Sequence, residues 1–118
     1  MKLFIDKLKE AKFILDDLTF EHYETKYMGY CRYATEYPTR RIDIFYAPFE
    51  SYYPFLLHLT GSGGFNQKIR ALAINLGYKL NEYGLFKIKL GKYIKVKIKS
   101  EEDIFNELGM DYVEPRDR

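Results

Sequence analysis

The sequence has no tryptophan, one cysteine and no long apolar run. The lone Cys31 excludes an internal disulfide and a cysteine-rich zinc site, and it fits a reducing compartment. No apolar stretch approaches the roughly 20 residues that a membrane helix needs, and the N-terminus lacks a signal-peptide apolar region. Charge of one sign is scarce as well. Nineteen basic and 17 acidic residues leave a formal charge of +2, so overall charge does not announce a nucleic-acid binder. Internal repeats, low-complexity stretches and long linkers are absent. These features point to an intracellular soluble protein with no membrane partner.

What is present is aromatic and unevenly charged. The 118 residues suffice for one compact domain or two small lobes, and 47% hydrophobic content argues for a folded chain. Twelve tyrosines and nine phenylalanines supply core and groove packing. Residues 87–99 hold six lysines and no acid, with Glu101, Glu102 and Asp103 following close behind.

Periodicity outlines the elements. Residues 2–11 place Leu3, Phe4, Leu8 and Ala11 at helical spacing. Residues 12–33 read as a strand pair with a polar turn near Glu21 and His22, and residues 40–47 as a third strand. Together they predict an antiparallel sheet with a helix on one face. After Pro48 the pattern turns helical. ESYYPFLLHL is a short apolar helix. In TGSGGFNQKIRALAINLGYKL, Ser62 can cap a helix whose Phe65, Ile69, Leu72, Ala73 and Leu76 recur every three or four residues, and Gly77 closes it. LFKIKLGKYIKVKIK predicts a lysine-alternating hairpin about Gly91-Lys92. SEEDIFNELG predicts a final helix capped by Ser100 with Asp103 at the third position, ended by Gly109.

Four features bear on chemistry. In RRIDIF, alternation sends Ile42 and Ile44 to one face and Arg41, Asp43 and Phe45 to the other. Asp43 is then either the partner of Arg40 or Arg41, or a metal ligand or general base. Asp16 and Asp17 are the nearby acidic pair, but strand neighbours point to opposite faces, so no complete two-metal site is visible. TGSGGFN, residues 60–66, opens a helix with glycines and suits either simple capping or an anion. It is not a Walker loop, because the spaced Gly-Lys-Ser/Thr element is missing. Asn66 and Arg70 stand four residues apart, placed either to read a DNA minor groove or to form a solvated helix face. The lysine hairpin can neutralise phosphates or protect a sheet edge. Cys31, His22 and His58 show no nucleophile–base spacing.

In one continuous order, ETKYMGYC, YPTRRIDIFYAP, YYPFLLHLTGS, FNQKIRALAINLGYKLNEYGLF and SEEDIFNELGMDYVEPRDR resemble the C-terminal part of a family X DNA polymerase. The likeness is to the β-type enzymes and especially to compact viral members. The resemblance implies an α+β chain: a partial antiparallel palm sheet with a helix over residues 1–58, then a small α+β thumb with a β-hairpin over 59–118. Asp43 matches the third catalytic aspartate, which binds Mg²⁺ and assists deprotonation of the primer 3′-hydroxyl. His58 and Leu59 occupy a Tyr-Phe pair that lies against the incoming sugar, an exchange that bears on sugar discrimination. Gly61 sits in the turn whose backbone contacts that sugar, and Asn66 matches the residue that reaches the incoming base. Arg70 matches the arginine that touches the template when the thumb closes, and Lys26 and Arg41 complete the implied DNA-contacting set. Glu82 and Tyr83 match the pair associated with the closed state. Phe45 replaces an arginine thought to hold the aspartate in the open form, and Gln67 a lysine that stacks on the template base.

The family's Gly-Ser-x-x-Arg segment and Asp-x-Asp strand would lie upstream of residue 1. The resemblance therefore implies a repair polymerase portion, inactive alone, whose two-metal Mg²⁺ site is incomplete. Its implied partners are gapped or nicked DNA, a dNTP and, through an exposed palm edge, a second copy. The implied location is the nucleus or a viral replication site. The alternatives are a non-catalytic DNA- or partner-binding module and a subunit completed in trans.

Overall fold

The computed structural model describes residues 1–19 and 24–118, so the turn predicted near Glu21 and His22 lies outside the described residues. The chain is α+β and divides into two compact units, Met1–Ala47 and Pro48–Arg118. That division falls ahead of the residue 58/59 boundary expected from sequence. The helix at Tyr52–Thr60 buries Pro54 and Leu57, and Leu57 packs in the core of the second unit.

In the first unit, α1 (Lys2–Glu10) precedes β1 (Ile14–Asp17), β2 (Lys26–Cys31) and β3 (Arg40–Phe45), which form an antiparallel sheet in the order β1-β2-β3. Ile5 and Tyr27 are fully buried and Ile14 nearly so, with Met1, Leu8, Phe13 and Ile44 packed around them. The helix is where the sequence predicts it, but its buried face is not. Leu3 and Phe4 are 74% and 55% exposed. At 100° per residue, the stripe Met1–Ile5–Leu8 is rotated by roughly 60° from Phe4–Leu8–Ala11, which turns Leu3 to the opposite side. Gly29 has a specific reason to be glycine. A Cβ there would stand 2.7 Å from the Asp16 carbonyl oxygen and against the Tyr27 hydroxyl, whose ring lies across the strand. That hydroxyl donates to Asp17, and Lys9 pairs with the same carboxylate at 2.8 Å. The lysine first, then the tyrosine, hold the Asp17 carboxyl below its usual range.

In the second unit a 3₁₀ turn at Phe49–Ser51 leads into α2 (Tyr52–Thr60) and α3 (Gly63–Asn75). Then come β4 (Tyr78–Asn81), β5 (Gly84–Lys89) and β6 (Lys92–Lys95), and α4 (Glu101–Glu107) follows. The core gathers Leu57, Ile69, Ala73, Leu80, Leu85, Ile104, Phe105 and Leu108 from all these layers except β6. The Ser62 hydroxyl accepts from the Phe65 amide at 3.2 Å, and Gly77 takes a φ of +82° just beyond the helix. Ser100 caps α4 in the same way, while the Asp103 carboxylate accepts from the Lys99 amide.

The predicted lysine hairpin is present as β5 and β6, and Tyr78–Asn81, not predicted as a strand, pairs with β5 to make a three-stranded antiparallel sheet in the order β4-β5-β6. One expectation needs correction. The β5–β6 turn is centred on Leu90-Gly91, both at positive φ, one residue before the predicted Gly91-Lys92. The Lys89–Lys92 pair closes a two-residue loop there.

Candidate functional site

Asp43 stands on β3, one of the two edge strands of the first sheet, opposite Met28 of β2. Its side chain is 39% exposed, and one carboxylate oxygen accepts from Arg41 Nε at 3.0 Å. Of the partners left open by the sequence, Arg41 is the one engaged. The two residues share a strand face two positions apart, and the same guanidinium also reaches the Met28 sulfur. Phe45, next along that face, lies under the Lys26 ammonium at 5.3 Å. Among the described residues no three His, Cys, Asp or Glu side chains converge. Asp17 is held by Lys9 and Tyr27, and Asp16 accepts from the Asp17 amide. Asp43 with a cationic neighbour does not by itself fit a two-metal Mg²⁺ site, which requires several converging carboxylates.

The second unit brings His58, Asn66, Arg70 and Glu82 together. Asn66 and Arg70 lie one turn apart on α3, as their spacing predicts. The last turn of α2 puts His58 beside them. Asn66 Nδ2 donates to the His58 carbonyl at 2.9 Å, and Arg70 lies 2.8 Å from His58 Nδ1. A guanidinium can only donate, so Nδ1 is the acceptor and the ring proton sits on Nε2. The β4–β5 turn supplies the last member. Asn81 Oδ1 accepts from the Tyr83 and Gly84 amides, and this folds the turn so that Glu82 comes within 3.6 Å of Arg70. The space left between His58, Asn66, Arg70 and Asn81 and the apolar Pro54, Leu57, Ile69 and Leu80 is about 10 Å³, enough for one water at most. Asn66 and Arg70 therefore do not line an open cleft, and both are engaged by contacts within the chain, while the Arg70 side chain keeps 35% of its surface exposed.

The remaining predicted residues flank this cluster. Gly61 is buried with φ +67°, and the Gly61–Ser62 peptide is cis. Leu59 and Tyr83 are half or more exposed, and the Tyr83 carbonyl accepts the Ser51 hydroxyl at 2.7 Å. One charged pair escaped sequence reasoning. Arg118 has a fully buried side chain, lies 2.7 Å from Glu101 Oε2, and sits 5.3–5.8 Å from the rings of Phe65, Phe105 and Tyr112. Its terminal nitrogens form an ion pair without well-aligned hydrogen bonds, while Nε donates to the Val113 carbonyl. The charge signs of Glu101 and Arg118 were readable, but nothing in their spacing of 17 residues links them. No helix among the described residues is long and apolar enough to cross a membrane.

Comparison with known proteins agrees with these two units. Residues 1–49 match the DNA polymerase beta palm, and residues 55–118 match the DNA polymerase beta thumb. DNA polymerase lambda of Rattus norvegicus is 33% identical over 126 residues, spanning 97% of this chain and 22% of that protein. DNA polymerase lambda of Arabidopsis thaliana is 30% identical over 98% of this chain and 25% of the relative. Repair DNA polymerase X of African swine fever virus is 38% identical over 68% of this chain and 45% of the viral protein. The chain thus spans a quarter or less of the lambda enzymes it matches, yet it does so through the palm strand bearing Asp43 and the thumb cluster around Arg70. It belongs to the family X DNA polymerases, as a palm unit followed by a thumb unit.

Proposed function

We propose that this chain is part of a repair DNA polymerase that transfers a nucleotide from a dNTP to a primer 3′-hydroxyl on gapped or nicked DNA. The observation that carries the reading is Asp43 on an edge strand. The outer edge of β3 has no strand partner among the described residues, so a strand bearing further carboxylates can add beside Asp43 by main-chain pairing. Within this reading Asp43 is the ligand this chain would contribute toward Mg²⁺, and the remaining carboxylates come from that added segment. Asn66 reaches the incoming base, His58, Leu59 and Gly61 border its sugar, and Arg70, Lys26 and Arg41 contact DNA. Glu82 and Tyr83 then report closure: the Arg70–Glu82 and Arg70–His58 contacts are the ones that binding would remake. By itself the chain is inactive. The same open edge is where a second copy would associate, and the activity would belong in the nucleus or at a viral replication site.

A second reading, a non-catalytic DNA- or partner-binding module, is favoured by the Arg41–Asp43 pair, which already engages the Asp43 carboxylate. Single-nucleotide insertion on a one-gap duplex with Mg²⁺ and dNTPs separates the two. The chain is assayed alone and mixed with the palm segment of a family X relative that carries the Asp-x-Asp strand. Insertion on mixing, lost with Asp43→Ala, supports the polymerase reading. DNA binding without turnover in either case supports the module.

A further inference from the structure

The two faces of the β4-β5-β6 sheet differ sharply. Leu80 and Leu85 are buried in the core, with Tyr78 and Val96 packed beside them. Alternation turns Lys79, Phe86, Ile88, Tyr93 and Lys95 to the other side, and the register pairs Phe86 with Lys95 and Ile88 with Tyr93. Contacts across that face confirm the assignment. The Lys79 ammonium lies 5.2 Å from the centre of the Tyr93 ring, and Phe86 meets Tyr93 edge-on at 6.5 Å. A Cβ on Gly84 would meet Lys95 Cε at 3.0 Å and the Phe86 ring at 3.4 Å, so both side chains cross the floor that this glycine leaves open. Tyr93 is 60% exposed, the register puts Lys79 and Lys95 of the five strand lysines on this face, and the three strands carry no acidic residue. Lys95 also borders a groove of about 610 Å³ walled by Phe49 and Tyr53, and Phe49 is 90% exposed.

We propose that this outer sheet face, continued by the adjoining groove, binds single-stranded nucleic acid. The exposed Tyr93 ring and the half-buried Phe86 ring, beside the Lys79 and Lys95 ammonium groups, offer what an unpaired strand needs: bases stack on the aromatics while lysines meet the phosphates. A duplex keeps its bases stacked in the helix and cannot present their faces to a flat sheet. A protein partner would have to desolvate lysines, which are depleted from the cores of protein interfaces. The Lys79–Tyr93 contact holds the tyrosine ring in place before a base arrives. The site lies apart from the His58–Arg70 cluster and goes beyond the polymerase reading, since it needs no chemistry.

The test is fluorescence anisotropy of a labelled dT12 with the whole chain at low salt, beside a 12-base-pair duplex. Phe86→Ala and Tyr93→Ala should each weaken dT12 binding about 5- to 100-fold and weaken duplex binding far less. Lys79→Gln should lower the salt slope by about 0.7. Lys2→Gln/Lys7→Gln removes two charges from α1 and should change neither. Phe86→Leu and Tyr93→Leu keep the apolar bulk, so they supply the same readout if an alanine variant unfolds. Ring variants with wild-type melting and dT12 affinity within two-fold of wild type would overturn the proposal. Equal loss in the α1 control, or displacement of dT12 by polyglutamate at equal charge concentration, would do the same. Nucleotide insertion is not read, so its absence leaves this site standing.

Discussion

Truncating Arg118 to alanine removes a guanidinium that no water reaches and strands a carboxylate that is 11% exposed. Breaking a buried ion pair from one side costs about 3–5 kcal/mol. Two features of this site pull the figure to about 2–4 kcal/mol. Glu101 opens α4, so the helix N-terminus still offsets about 0.3–1 kcal/mol of its charge after the arginine is gone. The terminal guanidinium nitrogens also lack aligned hydrogen bonds, so less is lost with them. Contacts with three rings work in the opposite direction, since a desolvated cation over aromatic faces contributes up to about 2 kcal/mol. At about 4–8 °C per kcal/mol for a domain of 60–100 residues, the second unit should melt roughly 10–30 °C lower. Urea titration followed by the methyl NMR signals of Ile69 and Ile104 reads that unit alone. Arg118→Met keeps the apolar stem among the rings and should cost less than alanine. Arg118→Met/Glu101→Gln removes the stranded charge too and should recover to within about 1 kcal/mol of wild type. A cost below about 0.5 kcal/mol for Arg118→Ala would mean that the guanidinium is solvated and the ion-pair reasoning wrong.

Two further substitutions test the fold. Leu90 is 94% exposed at φ +52°, a conformation that costs an L-residue about 1–2 kcal/mol, so Leu90→Asn before Gly91 should raise the melting temperature of the second unit. An unchanged or lower melting point would show that the turn is not of this type in solution. Asp17 is held below its ordinary value by Lys9 and Tyr27, so its stabilising effect is full above the unfolded value near pH 4 and fades as pH falls through the depressed folded one. The deficit of Asp17→Asn in urea unfolding should therefore be about 0.5–1 kcal/mol at pH 7, given the partial exposure of the pair, and should shrink as the pH is lowered below about 4. A deficit unchanged by acid would assign the effect to packing instead.

How much of this was legible follows from the range of each interaction. Caps and turns are local, so Ser62, Ser100, Gly77 and Gly109 could be placed from their neighbours alone, and they lie where the sequence put them. The β3 alternation was equally readable, because period two assigns Arg41 and Asp43 to one face whatever else the sheet does. The face of α1 was not. Its stripe of apolar residues was wide enough to fit two rotations, and only the positions of Ile14 and Tyr27 decide for Ile5 over Leu3. β4 was missed for a related reason: four residues directly after a helix carry too few turns of either period to declare themselves.

The site behaved in the same way, and the physical lesson concerns charge rather than pattern. Helical spacing correctly stacked Asn66 on Arg70, yet it left their surroundings open to solvent or to a ligand. The structure gives a third outcome, because the groups that engage them come from other elements. His58 arrives from the end of α2, and Glu82 from a turn set by Asn81. A guanidinium flanked by an acceptor imidazole on one side and a carboxylate on the other is held in place by the chain itself. On the polymerase reading proposed above, a nucleic-acid contact at Arg70 would compete with the pair His58–Glu82. Such a competition cannot be read from a helix stripe, since it depends on three segments brought together only by the fold.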